Sequence, residues 1–159
     1  MASVYDRADI YDLLEDESRY ETYKKHWEIV LQDKSVKTFL DVSIGSGNVT
    51  LPLAELGVRL YGSDLSETML ARCRQKAQKK NVDIEVKRCD FRSVSEQFSE
   101  RFDCVASTGN SLPYVSNEDV LATLGQMDRL VKPGGYLYFD VRNWDKILRE
   151  RNRFYLYNP

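Results

Sequence analysis

The chain has 159 residues, 42% hydrophobic and 30% charged, enough for one globular domain with a buried core. A net charge of −2 gives no electrostatic reason to expect a nucleic-acid or anionic-membrane partner, and no apolar run approaches the roughly 18 residues of a membrane span. Three cysteines without a C-x-x-C pair and a single histidine argue against a disulfide frame and against a metal site, and for reduced thiols in a cytoplasmic protein.

The opening MASVYDRADIYDLL is too acidic for a secretory signal, and a short helical piece is expected around residues 5–14. Ser18 to Glu21 has the pattern of a capping box. It opens a helix with Tyr20, Tyr23, Trp27, Val30 and Leu31 along one stripe. That stripe is read as packing, and His26 as a partly exposed helix residue. Segment 1–35 is thus a helical unit that lies over the ligand edge of the domain C-terminal to it, or beside that edge.

From residue 36 strand and helix patterns alternate. VKTFLDV (36–42) is a first strand, and residues 48–56 read as a helix closed by Gly57. VRLYGSD (58–64) is a second strand. Ser66 can cap a helix that runs to Lys80 with Met69, Leu70 and Cys73 on one face. VDIEVKRCD (82–90) alternates with period two, as a strand near a sheet edge does. FDCVAST (102–108) is a fourth strand, with Cys104 as inert core. Ser116 and Asp119 open a helix carrying Val120, Leu121, Leu124, Met127, Leu130 and Val131, stopped by KPGG, and YLYFDV (136–141) is a fifth strand. Residues 36–148 therefore read as an α/β domain, a doubly wound, Rossmann-like, mostly parallel sheet.

DVSIGSGNVT (41–50) is the chemically informative stretch. Gly45 and Gly47 permit positive φ and close approach of the backbone to a ligand. Asp64, 19 residues after Gly45, is an acid at the end of the second strand, placed to accept from ribose hydroxyls. The loop alone fits a dinucleotide and S-adenosylmethionine equally. Thr50 stands where a dinucleotide loop has its third glycine, and Asp41 precedes the loop. A carboxylate there suits a cationic ammonium or sulfonium better than a pyrophosphate, which favours S-adenosylmethionine.

FLDVSIGSG (39–47), LYGSDLSETML (60–70), VKRCDF (86–91), FDCVAST (102–108) and LVKPGGYLYFDV (130–141) together resemble the class I S-adenosylmethionine-dependent methyltransferases. Ser43 departs from that family's usual first glycine. The resemblance implies that Gly45 and Gly47 line the methionyl part and Asp64 with Leu65 holds the ribose. It puts Asp90 near the adenine amine and Phe91 on the ring, with Thr108 also at the cofactor. It also implies a seven-stranded sheet. The final residues, 149–159 with RFYLYNP, read as the start of a sixth strand, so the last strands are expected to be missing. YLYFDV would then be an edge open to pairing with a second copy.

A narrower resemblance is to glycine and glycine/sarcosine N-methyltransferases, through TGNSLPYV (108–115), DVRNWDKIL (140–148) and SRYETYKKHW (18–27). It implies that Asn110 orients the acceptor amine, Arg142 pairs with the acceptor carboxylate and Arg19 binds the cofactor carboxylate. Tyr11 would line the methyl-transfer site. Structural alternatives are a helix cap for Asp64, a turn for Asp90 and Asn110, and a surface pair of Arg142 with Asp140 or Asp145.

Overall fold

The computed structural model describes residues 17–151. Its elements in chain order are α1 (Glu17–Leu31), β1 (Thr38–Asp41), a 3-10 helix (Leu51–Leu56), β2 (Arg59–Asp64), α2 (Glu67–Lys79) and β3 (Ile84–Arg88). A 3-10 helix (Phe91–Glu96), β4 (Phe102–Ser107), a 3-10 turn (Leu112–Tyr114), α3 (Asn117–Leu130), β5 (Val131–Phe139) and α4 (Trp144–Glu150) complete the order. The five strands form one sheet in the order β3-β2-β1-β4-β5, and every pairing is parallel.

The central strands are hydrophobic on both faces, so helical layers must cover both. Trp27, Phe39, Leu60, Leu70 and Cys104 share one buried cluster, and Leu40, Tyr61, Phe102, Val105 and Met127 share the other. β3 is an edge strand, as its alternation implies. β5 has only β4 as neighbour among the described residues and exposes Tyr136, Leu137 and Phe139. Residues 5–14 and the expected sixth strand at RFYLYNP lie outside the described residues.

Three expectations are corrected. Ser18 lies inside α1, which is already helical at Glu17. Its carbonyl accepts from Thr22 Oγ1 at 2.8 Å. Within 48–56 the chain makes a 3-10 helix rather than an α-helix, because two successive α-type bonds are unavailable. Pro52 has no N–H to give to residue 48. The Val49 carbonyl that Leu53 would use accepts from Trp27 Nε1 at 2.6 Å, and Leu53 N donates to Thr50 O instead. Gly57 still closes the segment in the left-handed conformation. Last, KPGG does not separate helix from strand. α3 ends at Leu130 and β5 begins at Val131, the extra residues being absorbed by a register shift opposite Phe102 and Cys104.

α1 reaches the segment after the glycine loop, where Trp27 Nε1 donates to Val49 O. It packs on the flank through Trp27, which is fully buried with ring centroids 5.2 Å from Phe39 and 4.9 Å from Tyr138. His26 beside it is exposed and meets the Tyr138 hydroxyl at 3.1 Å. Trp27→Ala is expected to cost about 3–5 kcal/mol of folding stability, and Trp27→Phe about 1 kcal/mol for the lost indole bond, both measured by urea unfolding.

Candidate functional site

In a doubly wound sheet the crevice opens where strand order reverses, here between the carboxyl ends of β1 and β4. The loop after β1 is pinned to both neighbours. Val42 N donates to Ala106 O of β4 at 2.8 Å, and Ile44 N donates to Ser63 O of β2 at 3.0 Å. Gly45 N donates to the Asp64 carboxylate at 2.9 Å. Gly45 and Gly47 have φ of +54° and +85°. A Cβ on Gly47 would stand 2.8 Å from Cys73 Sγ, whereas one on Gly45 would meet nothing within 4 Å. Gly47 thus lets the loop settle onto α2, and Gly45 faces open space.

Gly62 is a site residue the sequence reasoning passed over. A Cβ there would lie 2.5 Å from Ile44 Cδ1, so β2 needs a glycine where the loop rests on it. The legible signal was a glycine inside a strand.

Asp41 has no exposed surface. Its carboxylate accepts from Thr50 Oγ1 at 2.5 Å, Thr108 Oγ1 at 2.7 Å, Ser43 N at 3.0 Å and Thr108 N at 3.4 Å. Burial pushes its pKa up to about 6 against the pull of those four donors. Thr108, expected at the cofactor, is likewise buried with its hydroxyl turned to Asp41. Thr50 and Asp41, two separate hints in the sequence, are partners in one hydrogen bond.

Asp64 serves as structural tie and open acceptor together. One oxygen takes Gly45 N, the other takes Ser66 N at 2.8 Å, and burial raises its pKa. The carboxylate keeps acceptor capacity for a hydroxyl donor. Leu65 next to it is 63% exposed, an apolar surface at the strand edge. Asp90 caps the 3-10 helix (Phe91–Glu96) and is held by Arg92, whose guanidinium keeps the carboxyl below its ordinary range. Phe91 packs partly buried against the second core cluster.

Asn110 and Arg142 are 32 residues apart and meet at the ends of β4 and β5. Arg142 N donates to Asn110 Oδ1 at 2.9 Å. Asp140 accepts from Gly109 N at 3.0 Å and Asn110 N at 2.7 Å, holding Asn110 at φ +62°. Arg19 lines a cleft of about 500 Å3 with Asn48 of the glycine loop and the cationic side of α2. There Lys76 Nζ donates to Asn48 Oδ1 at 2.6 Å and Ser46 Oγ at 3.2 Å, tying α2 to the glycine loop. Tyr11 lies outside the described residues. Among those described, no three ligating side chains cluster as a metal site would need, and no helix is long and apolar enough to cross a membrane.

The buried Asp41 has a pH signature. Its folded pKa of about 6 lies above the ordinary value of 3.8, so unfolding releases a proton between these values. Wild type should therefore lose stability relative to Asp41→Asn as pH rises from about 4 to 6, with the difference constant above about 7. Urea unfolding of both proteins across that range measures it. Gly62→Val should destabilise by about 1–3 kcal/mol through overpacking against Ile44.

A family model described as a methyltransferase domain matches residues 39–135. Glycine/sarcosine N-methyltransferase of Aphanothece halophytica is 34% identical over 121 residues, 76% of this chain and 46% of that one. Ubiquinone biosynthesis O-methyltransferase of Pseudomonas entomophila (strain L48) is 30% identical over 107 residues, 67% of this chain and 45% of that one. The chain spans about half the length of the curated relatives it matches. In fold it is similar to an S-adenosylmethionine-dependent methyltransferase from Clostridium acetobutylicum ATCC 824, with a TM-score of 0.72 at 21% identity over 93% of this chain and 61% of that one. With its β1 loop, its strand order and this match over more than half its length, the chain belongs to the methyltransferase domain family.

Proposed function

We propose that this domain binds S-adenosylmethionine along its carboxyl edge, and that the protein transfers the methyl group to the amine of a small amino-acid-like acceptor of the glycine or sarcosine type. The observation that carries the acceptor reading is the Asn110–Asp140–Arg142 junction, which sets an amide and a guanidinium-bearing residue together beside the switch point. The name of the Aphanothece relative supports the same reading.

The cofactor fits the residues present. Open space at Gly45 admits a backbone-hugging chain, Asp64 keeps acceptor capacity for a hydroxyl donor, and exposed Leu65 offers a face to a nucleoside. When bound, S-adenosylmethionine supplies a methyl carbon already activated by its sulfonium. The residues are left with alignment and exclusion of water, which account for much of the rate in such a displacement. Asn110 Oδ1 is fixed by Arg142 N and retains one lone pair to accept from an amine N–H. Arg142 brings a planar fork suited to a carboxylate. The charge of Asp41, though enclosed, favours a cationic group at the loop above it. The absence of a nearby histidine base is no obstacle, since a neutral amine is a nucleophile without one.

A second reading, methylation of a different small acceptor, is favoured by the Pseudomonas relative and its O-methyltransferase name. Steady-state kinetics separate the two. Arg142→Met is expected to raise KM for glycine or sarcosine about 10- to 100-fold, the loss of a charge-assisted pair, with kcat changed little. Asn110→Ala should lower kcat instead. Unchanged KM in Arg142→Met removes the carboxylate role and leaves the second reading.

A further inference from the structure

The cleft between α1 and α2, about 500 Å3 and so within the size range of small-molecule sites, has an unbalanced lining. Arg19 of α1 joins Arg72, Lys76, Lys79 and Lys80 of α2 and its cap, against one acid among the described residues, Glu17. The whole chain carries a net charge of −2, so this excess of cations is local. Arg72, Lys76 and Lys80 follow at intervals of four, which puts like charges on one helix face, where they repel. Arg19, Arg72 and Lys76 are half-buried, so water screens them less than charges standing free on a surface. Glu17 meets Lys80 at 3.1 Å, but its side chain is 75% exposed and the pair is weak. Lys80 also lies 3.7 Å from the centroid of the Tyr20 ring, and two partners of Lys76, Ser46 Oγ and Asn48 Oδ1, are neutral. None of these last contacts cancels a charge.

We propose that this cleft is a binding site for a compact polyanion of the oligophosphate class. At 1.5 Å per residue, Arg72 and Lys79 stand roughly 10 Å apart along α2. A single phosphate group reaches one end of such a row, whereas several phosphates joined in a short chain lie along it and turn repulsion between neighbours into shared attraction. Arginine supplies forks matched to phosphate oxygens, and lysine supplies point charges between them. Gly45, Asp64, Asn110 and Arg142 are not among the lining residues, so the site is argued from the flank of the domain and does not depend on the cofactor reading.

The test is calorimetric titration of inorganic tripolyphosphate into the full chain at near-physiological salt. Wild type should bind one equivalent. The double variant Arg72→Met with Lys79→Met should bind at least about 10-fold more weakly. A control that removes two exposed cations elsewhere, Lys25→Met with Arg129→Met, should stay within about twofold of wild type. Tripolyphosphate should raise the Tm of wild type and of the control but not that of the cleft variant, which separates loss of the site from loss of the fold. Absence of saturable binding, or equal weakening in both double variants, overturns the proposal. The titration repeated at saturating S-adenosylhomocysteine should still show one equivalent. Mutual exclusion would assign the cleft to that ligand and overturns the proposal too, whereas a wild type that binds tripolyphosphate but not S-adenosylhomocysteine overturns the cofactor reading and leaves this site standing.

Discussion

The structure depends on a buried carboxylate. Asp41 ends the central strand with no contact with water, and a charge in such a place is tolerated only when donors replace its hydration. Here they come from three separate stretches: Ser43 in the loop, Thr50 ahead of the 3-10 helix and Thr108 at the end of β4. Satisfying one side chain thus fixes the path of the glycine loop, the start of the segment after it and the exit of β4. These are the walls of the crevice. Asp64 repeats the device on the other side, giving one oxygen to Gly45 and one to Ser66 while keeping acceptor capacity for a ligand. The loop is therefore preorganised by carboxylates that face inward, and its outward side is backbone and open space.

This changes how the cofactor preference arises. A third glycine in a dinucleotide loop brings the helix close to the strand. Thr50 puts a hydroxyl there instead, committed to Asp41, and the segment after it is a 3-10 helix held off α geometry by Pro52 and the Trp27 indole. The packing under the loop thus departs from the close helix–strand approach that a third glycine allows.

Much of the fold was legible because the signals were periodic and local. Four strands, the caps at Ser66 and Ser116 and the stop at Gly57 appear where hydrophobic alternation and capping chemistry place them, while the fifth strand begins earlier, at Val131. What was not legible depends on contacts distant in sequence. The 48–56 segment carries a good helical pattern; Pro52 warned against it locally, but the Val49 carbonyl's capture by Trp27, 22 residues earlier, could not be read there. Gly62 stands out as a glycine inside a strand, but that Ile44 is what lies on it cannot be read locally. The site divides in the same way. Residue types at strand ends were legible, and Asn110 and Arg142 do meet there. The direction each side chain takes was not, as Asp41 and Thr108 turning inward and Arg92 engaging Asp90 show.

The most direct test of the account is a pair of titrations on the unmodified protein, S-adenosylhomocysteine and NAD, followed by calorimetry and repeated on Thr50→Val. The expected result is saturable binding of S-adenosylhomocysteine to wild type, weaker binding to the variant that has lost the hydroxyl on Asp41, and no detectable heat from NAD with either. Saturable binding of NAD with none of S-adenosylhomocysteine would contradict the assignment of the loop.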